Sequence, residues 1–144
     1  MPSKNSIVFA GGNEYAPAAS YPAAYPDYVS VAATAPDYTP AVYTNYGPGT
    51  TICAPGGDQD YYFEYGEGLN KGSIGCVLST LPYNVTGTAS PLAGYGYMEG
   101  TSMACPHVSG VVALGLSYAA NLHKHVKAEE VKELLHSTAR PVEQ

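Results

Sequence analysis

Residues 100–114, Gly100-Thr-Ser-Met-Ala-Cys-Pro-His-Val-Ser-Gly-Val-Val-Ala-Leu114, decide how the rest of the chain is read. A polar, glycine-led turn runs directly into an apolar stretch, with Ser102 at the junction. The first backbone N–H groups of a helix have no intrahelical acceptor, and the helix dipole is positive there. A serine oxygen at that point has preorganised donors beside it wherever charge develops on an attacked carbonyl. Pro106 is expected in or near the first turn, where a missing N–H costs least. Val111, Val112, Leu114 and Leu116, with Gly110, Ala113 and Gly115 between and around them, read as a helix buried nearly all round. Serines before helices commonly serve as N-caps, so Ser102 has a purely structural role available to it.

The longer run favours chemistry. Gly100, Thr101, Ser102, Met103, Ala104, Pro106, His107, Val108 and Gly110 together resemble the active-serine signature of the subtilisin-like proteases, the subtilases. The other common serine motif, Gly-x-Ser-x-Gly, is excluded because Ala104 stands where its second glycine would be. The resemblance implies that Ser102 is a catalytic nucleophile.

Working towards the amino terminus, Ser6 to Ala10 is a short β-branched apolar run that stops at Gly11-Gly12-Asn13. It reads as a central strand of a parallel sheet opening into a ligand loop, with Asn13 just past the strand's carboxyl end. Asn is also a common turn residue in left-handed geometry. Gly12-Asn13-Glu14 after such a strand resembles the subtilase segment that supplies a side-chain oxyanion donor. By the same resemblance Ala10, Gly11 and Gly12 would wall the primary specificity pocket. Tyr21-Pro-Ala-Ala-Tyr-Pro26 with the strand-like Tyr28–Thr34, Tyr43-Thr-Asn-Tyr-Gly47 and Ile52-Cys-Ala-Pro-Gly56 extend the likeness over most of the chain.

Downstream, Asp58, Asp60, Glu64 and Glu67 lack the spacing of an EF-hand, since Tyr62 replaces a ligand, and read as a solvated loop. Subtilases often hold a metal beside the Tyr-Pro segment, but Thr51 occupies the place where a carboxylate would help, so no metal or other cofactor is assigned. Ser73 to Leu81 reads as a strand, Gly87 to Gly96 as a flexible connection, and Asn84-Val-Thr86 as a glycosylation sequon. Ala128 to His136 is an amphipathic helix with Val131, Leu134 and Leu135 inward and an acidic first turn. Pro141 stops it.

The chain of 144 residues is one domain at most, and its net charge of −6 argues against nucleic-acid or anionic-membrane partners. No apolar run is expected to reach the roughly 20 residues of a membrane helix, and the start lacks a signal peptide's apolar segment. Cys53, Cys76 and Cys105 are odd in number, so at most one pair can form within the chain. Cys105 is expected to act as a small hydrophobe on the helix.

A serine nucleophile needs a base, and the base an orienting carboxylate. The twelve residues before Asn13 contain no His and no Asp. His107 is about 500° around the helix from Ser102 and points away; His123 and His125 are about 30 Å along it if it continues. His123-Lys-His125 resembles a two-ligand metal pair but reads better as a solvated helix end, and nothing brings His136 to Ser102. The resemblance therefore implies an α/β fold: residues 1–144 as the carboxyl-terminal portion of a subtilase catalytic domain, part of a mostly parallel β-sheet flanked by helices. It implies a secreted or cell-envelope serine endopeptidase acting on peptide or protein substrates, with Asp and His supplied by a complementary amino-terminal segment. The isolated chain is expected to be inactive. A catalytically silent binding or structural module of the same fold is the alternative.

Overall fold

The computed structural model describes residues 6–60, 73–81 and 94–142. Three parallel strands, β1 (Val8–Ala10), β2 (Val29–Thr34) and β3 (Ile52–Pro55), form a sheet in the order β1-β2-β3. Val8 pairs with Val29, and Val31 with Ile52. A second sheet is an antiparallel pair, β4 (Val77–Thr80) with β5 (Tyr95–Met98). Helix α1 (Thr101–Asn121) follows β5 after two residues, and α2 (Ala128–Thr138) follows α1. Parallel strands with covering helices make this an α/β fold.

Among the described residues β1 lies at the sheet's edge, and β2 is central, with all six residues buried. Its Val29, Val31 and Ala33 form the core with Ala54 of β3 and Ala104 and Val108 of α1. Alternation puts Ser30, Ala32 and Thr34 on the opposite face. β2 is therefore an uninterrupted run of β-branched and small residues because both faces are covered.

Helix α1 is not buried all round. Thr101, Ala104, Val108 and Ala119 are buried, whereas Val111, Leu114 and Tyr118 are 60%, 73% and 68% exposed. An apolar helix buries only the side that meets a neighbour, and here one side meets the sheet. Nor does Pro106 fall in the first turn: the helix starts at Thr101, so the proline lies inside it and leaves the Ser102 carbonyl without its i+4 N–H. The membrane expectation is also corrected. The 21-residue α1 has a window of mean hydropathy 1.3, long and apolar enough to cross a membrane. Ser102, Pro106, His107 and Ser109 interrupt the run in sequence, but Val, Ala and Leu carry the mean. Its first turns are docked on the three parallel strands.

Four further differences have local causes. Ser73–Gly75 is a 3₁₀ turn, and only Val77–Thr80 is extended. Tyr95-Gly96 belongs to β5 rather than to a flexible connection, because Ser79 and Thr80 pair with Gly96 and Tyr95. Leu134 is 54% exposed and faces a groove between α1 and α2, while Val131 is buried and Leu135 packs on the core. Asp58 is 2% exposed, not solvated: its carboxylate accepts the N–H groups of Val42 (2.8 Å) and Asp60 (3.0 Å). Glu64, Glu67, Tyr62 and the Asn84 sequon lie outside the described residues.

The Tyr-Pro segment is held by a cation of the chain's own. Lys132 Nζ on α2 donates to the carbonyls of Pro26 (2.8 Å) and Tyr28 (3.0 Å). Thr51 is engaged in the sheet, its hydroxyl accepting Ser30 N–H at 3.1 Å.

Candidate active site

Two loops meet above the carboxyl end of β1. Gly11 and Gly12 leave the strand, and Gly12 turns at φ 113°, where a Cβ would collide with the Asn45 side chain. Only glycine fits that turn. The next residue, Asn13, is exposed, but its carbonyl oxygen is fixed: Oδ1 accepts both the backbone N–H and the hydroxyl of Thr101, each at 2.8 Å. Because an N–H can only donate, Oδ1 must be the acceptor, and the orientation of the amide follows. Thr101 Oγ1 also accepts Gly12 N–H at 3.2 Å, tying the glycine turn to the helix start.

The amide N–H₂ of Asn13 therefore faces away from Thr101. A Cβ placed on Gly100 would stand 3.4 Å from Asn13 Nδ2 and 3.7 Å from Ser102 N. Asn13 Oδ1 lies 3.8 Å from the same point, so the Asn13 carboxamide and the Ser102 N–H border one small space. Gly100, at φ 140°, leaves that space open and is itself the N-cap of α1, with no side-chain cap. Ser102 is thus not a capping residue. It is the second residue of the helix and exposed, and its hydroxyl and N–H have no hydrogen-bond partner among the described residues.

Among the described residues no hydrogen bond joins a histidine to Ser102. His107 is exposed and its Nδ1 lies 2.8 Å from the Met103 carbonyl, back along the helix. α1 ends at Asn121, so His123 and His125 sit in the exposed connection to α2, and His136 lies on the exposed side of α2. None of the three cysteines forms a disulfide among the described residues, and burial pushes each thiol above its usual pKa. At neutral pH they remain thiols and poor nucleophiles.

The sequence of residues 3–144 matches the profile of the subtilase family. This chain belongs to the subtilase family. It is 35% identical over 131 residues to the extracellular basic protease of Dichelobacter nodosus, covering 90% of this chain and 18% of that protein. It is 35% identical over 136 residues to halolysin of Haloferax mediterranei, covering 92% and 21%. Among solved structures it superposes on a protease from Pseudoalteromonas arctica with a TM-score of 0.74 at 33% identity, covering 96% of this chain and 37% of that one. The subtilase sequence here thus spans about a fifth of the length of these two curated relatives.

Within this subtilase chain, motif reasoning missed the residue that builds the first loop. Asn45 is fully buried and every polar atom of its side chain is used. Oδ1 accepts the N–H groups of Glu14 (3.0 Å) and Ala16 (2.9 Å). Nδ2 reaches Gly11 O (3.2 Å), Glu14 Oε2 (2.7 Å) and Ser20 Oγ (3.1 Å). The loop from Gly11 to Ser20 is wrapped around one carboxamide. Tyr15 is held in that loop at φ 52°, which a bulky residue adopts only when its surroundings impose it. Ala10 ends β1, Gly12 is tied to Thr101, and Gly11 between them is buried with its carbonyl also accepting Ser20 N–H at 2.8 Å.

Replacing Asn45 by alanine strands several buried groups at roughly 1–3 kcal/mol each. The expected loss is about 3 kcal/mol, read as a lower urea midpoint with an unchanged slope. An unmoved midpoint would show that the loop does not depend on this side chain.

Proposed function

We propose that this chain carries the nucleophile and oxyanion hole of a subtilisin-like serine endopeptidase, and that a complementary amino-terminal segment supplies His and Asp. The observation that supports it is the shared space between Asn13 Nδ2 and Ser102 N–H, beside an exposed serine that is not a helix cap. Ser102 Oγ attacks the carbonyl carbon of the scissile peptide, and its proton passes to the histidine of the complementary segment. The new C–O bond forms as the carbonyl π pair moves onto oxygen, where the Asn13 amide and the Ser102 N–H receive it. Collapse expels the amine, which takes the proton from the histidine. Water then repeats the sequence on the acyl ester, releasing the acid and restoring the serine. Ala10, Gly11 and Gly12, small and next to the oxyanion space, would wall the pocket for the residue before the scissile bond.

The exposed outer side of α1 and the edge position of β1 support completion by further polypeptide, since large apolar faces are costly to leave in water. The extracellular name of the Dichelobacter relative supports secretion, which recovery of the protein from culture medium would test.

Intact-mass analysis of the source-purified protein, with and without a fluorophosphonate, tests the reading. One adduct on Ser102 together with a second, co-purifying polypeptide or an extended chain bearing His and Asp is expected. An unlabelled protein that retains all of its sequence would favour the silent module.

A further inference from the structure

Tyr43 touches both halves of the site described above. Its backbone carbonyl accepts Tyr15 N–H at 2.9 Å, two residues after Asn13. Its hydroxyl accepts Gly100 N–H at 2.8 Å, two residues before Ser102. The one proton of that hydroxyl is directed at Gly57 O, 2.6 Å away, with Gly56 O at 3.1 Å. Between its two ends the ring packs against the hydrophobic core.

The geometry around Gly100 makes the hydroxyl matter. Gly100 has no side chain to anchor it, and its N–H is shared between Tyr43 Oη and Gly56 O (3.0 Å). Gly56 is packed so closely that a Cβ there would stand 2.5 Å from Ala33 Cβ and 2.8 Å from Gly100 O. The backbone of Gly56-Gly57, the phenol and Gly100 thus form a closed ring of contacts immediately before the nucleophile. Burial pushes the phenol's pKa far above its usual range, so the proton that reaches Gly57 O stays in place at any working pH.

We infer that Tyr43 is a positioning residue for the serine reaction: it sets the distance between the Asn13 amide and the Ser102 N–H by tying the glycine loop, through its backbone carbonyl, and the helix start, through its hydroxyl, to one residue. This rests on the proposed serine-protease reading. Tyr43 does not touch the reacting atoms. Its effect is exerted through the precision of the oxyanion space, where displacements of about 1 Å can cost 100-fold in rate.

The test uses the full-length protein and the variants Tyr43→Phe, Asn13→Ala and their combination. The rate of fluorophosphonate labelling is read alongside kcat and KM for a peptide substrate. Tyr43→Phe is expected to lower the labelling rate and kcat roughly 10- to 100-fold, with KM nearly unchanged. In the Asn13→Ala background the same substitution should cost much less, because the donor being positioned is already gone. Equal labelling of wild type and Tyr43→Phe would overturn the inference and leave the serine reading intact. Equal, fully additive losses in both backgrounds would assign Tyr43 a general structural role and overturn it as well. An unreactive wild type would overturn both. Should Tyr43→Phe fail to fold, Tyr43→Met takes its place in the same cycle with the same expected losses, and free hydrogen exchange of the Gly100 amide in the wild type would also overturn the clamp.

Discussion

Ser102→Ala is expected to lower kcat of the complete protein by about 10⁶-fold, a magnitude that comes from subtilisin, a member of the same family. It should also abolish the phosphonate adduct. The structure says why the loss should be chemical and not conformational. Ser102 is exposed at the second position of α1, it caps nothing, and its hydroxyl holds no neighbour among the described residues. Alanine has the higher helix propensity, so the variant should fold at least as stably as the wild type. A pair of measurements checks both halves: thermal unfolding of the two proteins, and the mass of each after exposure to the probe. A variant that still hydrolyses peptide, or still gains one adduct, would move the nucleophile elsewhere.

The second large effect is expected at Asn13, and two substitutions separate its two jobs. Asn13→Ala removes both the amide donor and the oxygen that accepts Thr101 N–H and Thr101 Oγ1. The donor's loss should cost about 10²–10³ in kcat, roughly 2.7–4 kcal/mol, a range itself taken from subtilisin. The lost acceptor should cost a further 1 kcal/mol or so of stability, the ordinary net worth of such a bond. Asn13→Asp keeps an acceptor for Thr101 and puts an anion where the oxyanion must form. Its stability should be close to wild type while kcat falls at least as far as in the alanine variant. Parallel urea titrations and peptide hydrolysis assays read the two effects. A fall in kcat that simply tracked the loss of stability in both variants would mean that Asn13 braces the helix start and does not bind the oxyanion.

Much of the site was legible because its residues are local signals. An apolar run ending in Gly11-Gly12-Asn13, and a glycine followed by Thr101-Ser102 ahead of an apolar helix, each announce themselves within a few positions. The parallel sheet was legible for a similar reason, since the apolar, β-branched run of β1 stops at a pair of glycines. What composition overstated was burial: Val111, Leu114 and Tyr118 look like core residues but face outward, because hydrophobicity records what a side chain prefers and not what stands next to it.

Asn45 and Tyr43 show where local signals stop. Both lie in Tyr43-Thr-Asn-Tyr-Gly47, which resembles the family's sequence without disclosing a task for either side chain. Asn45 acts on Gly11, Glu14, Ala16 and Ser20, and Tyr43 on Gly57 and Gly100. By itself the sequence determined the family, the elements that flank the site and the two residues, Asn13 and Ser102, expected to do the chemistry. Only the tertiary structure decided that Asn13 Oδ1 is fixed by Thr101 at the helix start, and that Asn45 and Tyr43 tie the surrounding loops together. Backbone propensity and hydrophobic period act over a few residues, whereas a carboxamide finds its hydrogen-bond partners only after the loops that carry them have been brought together.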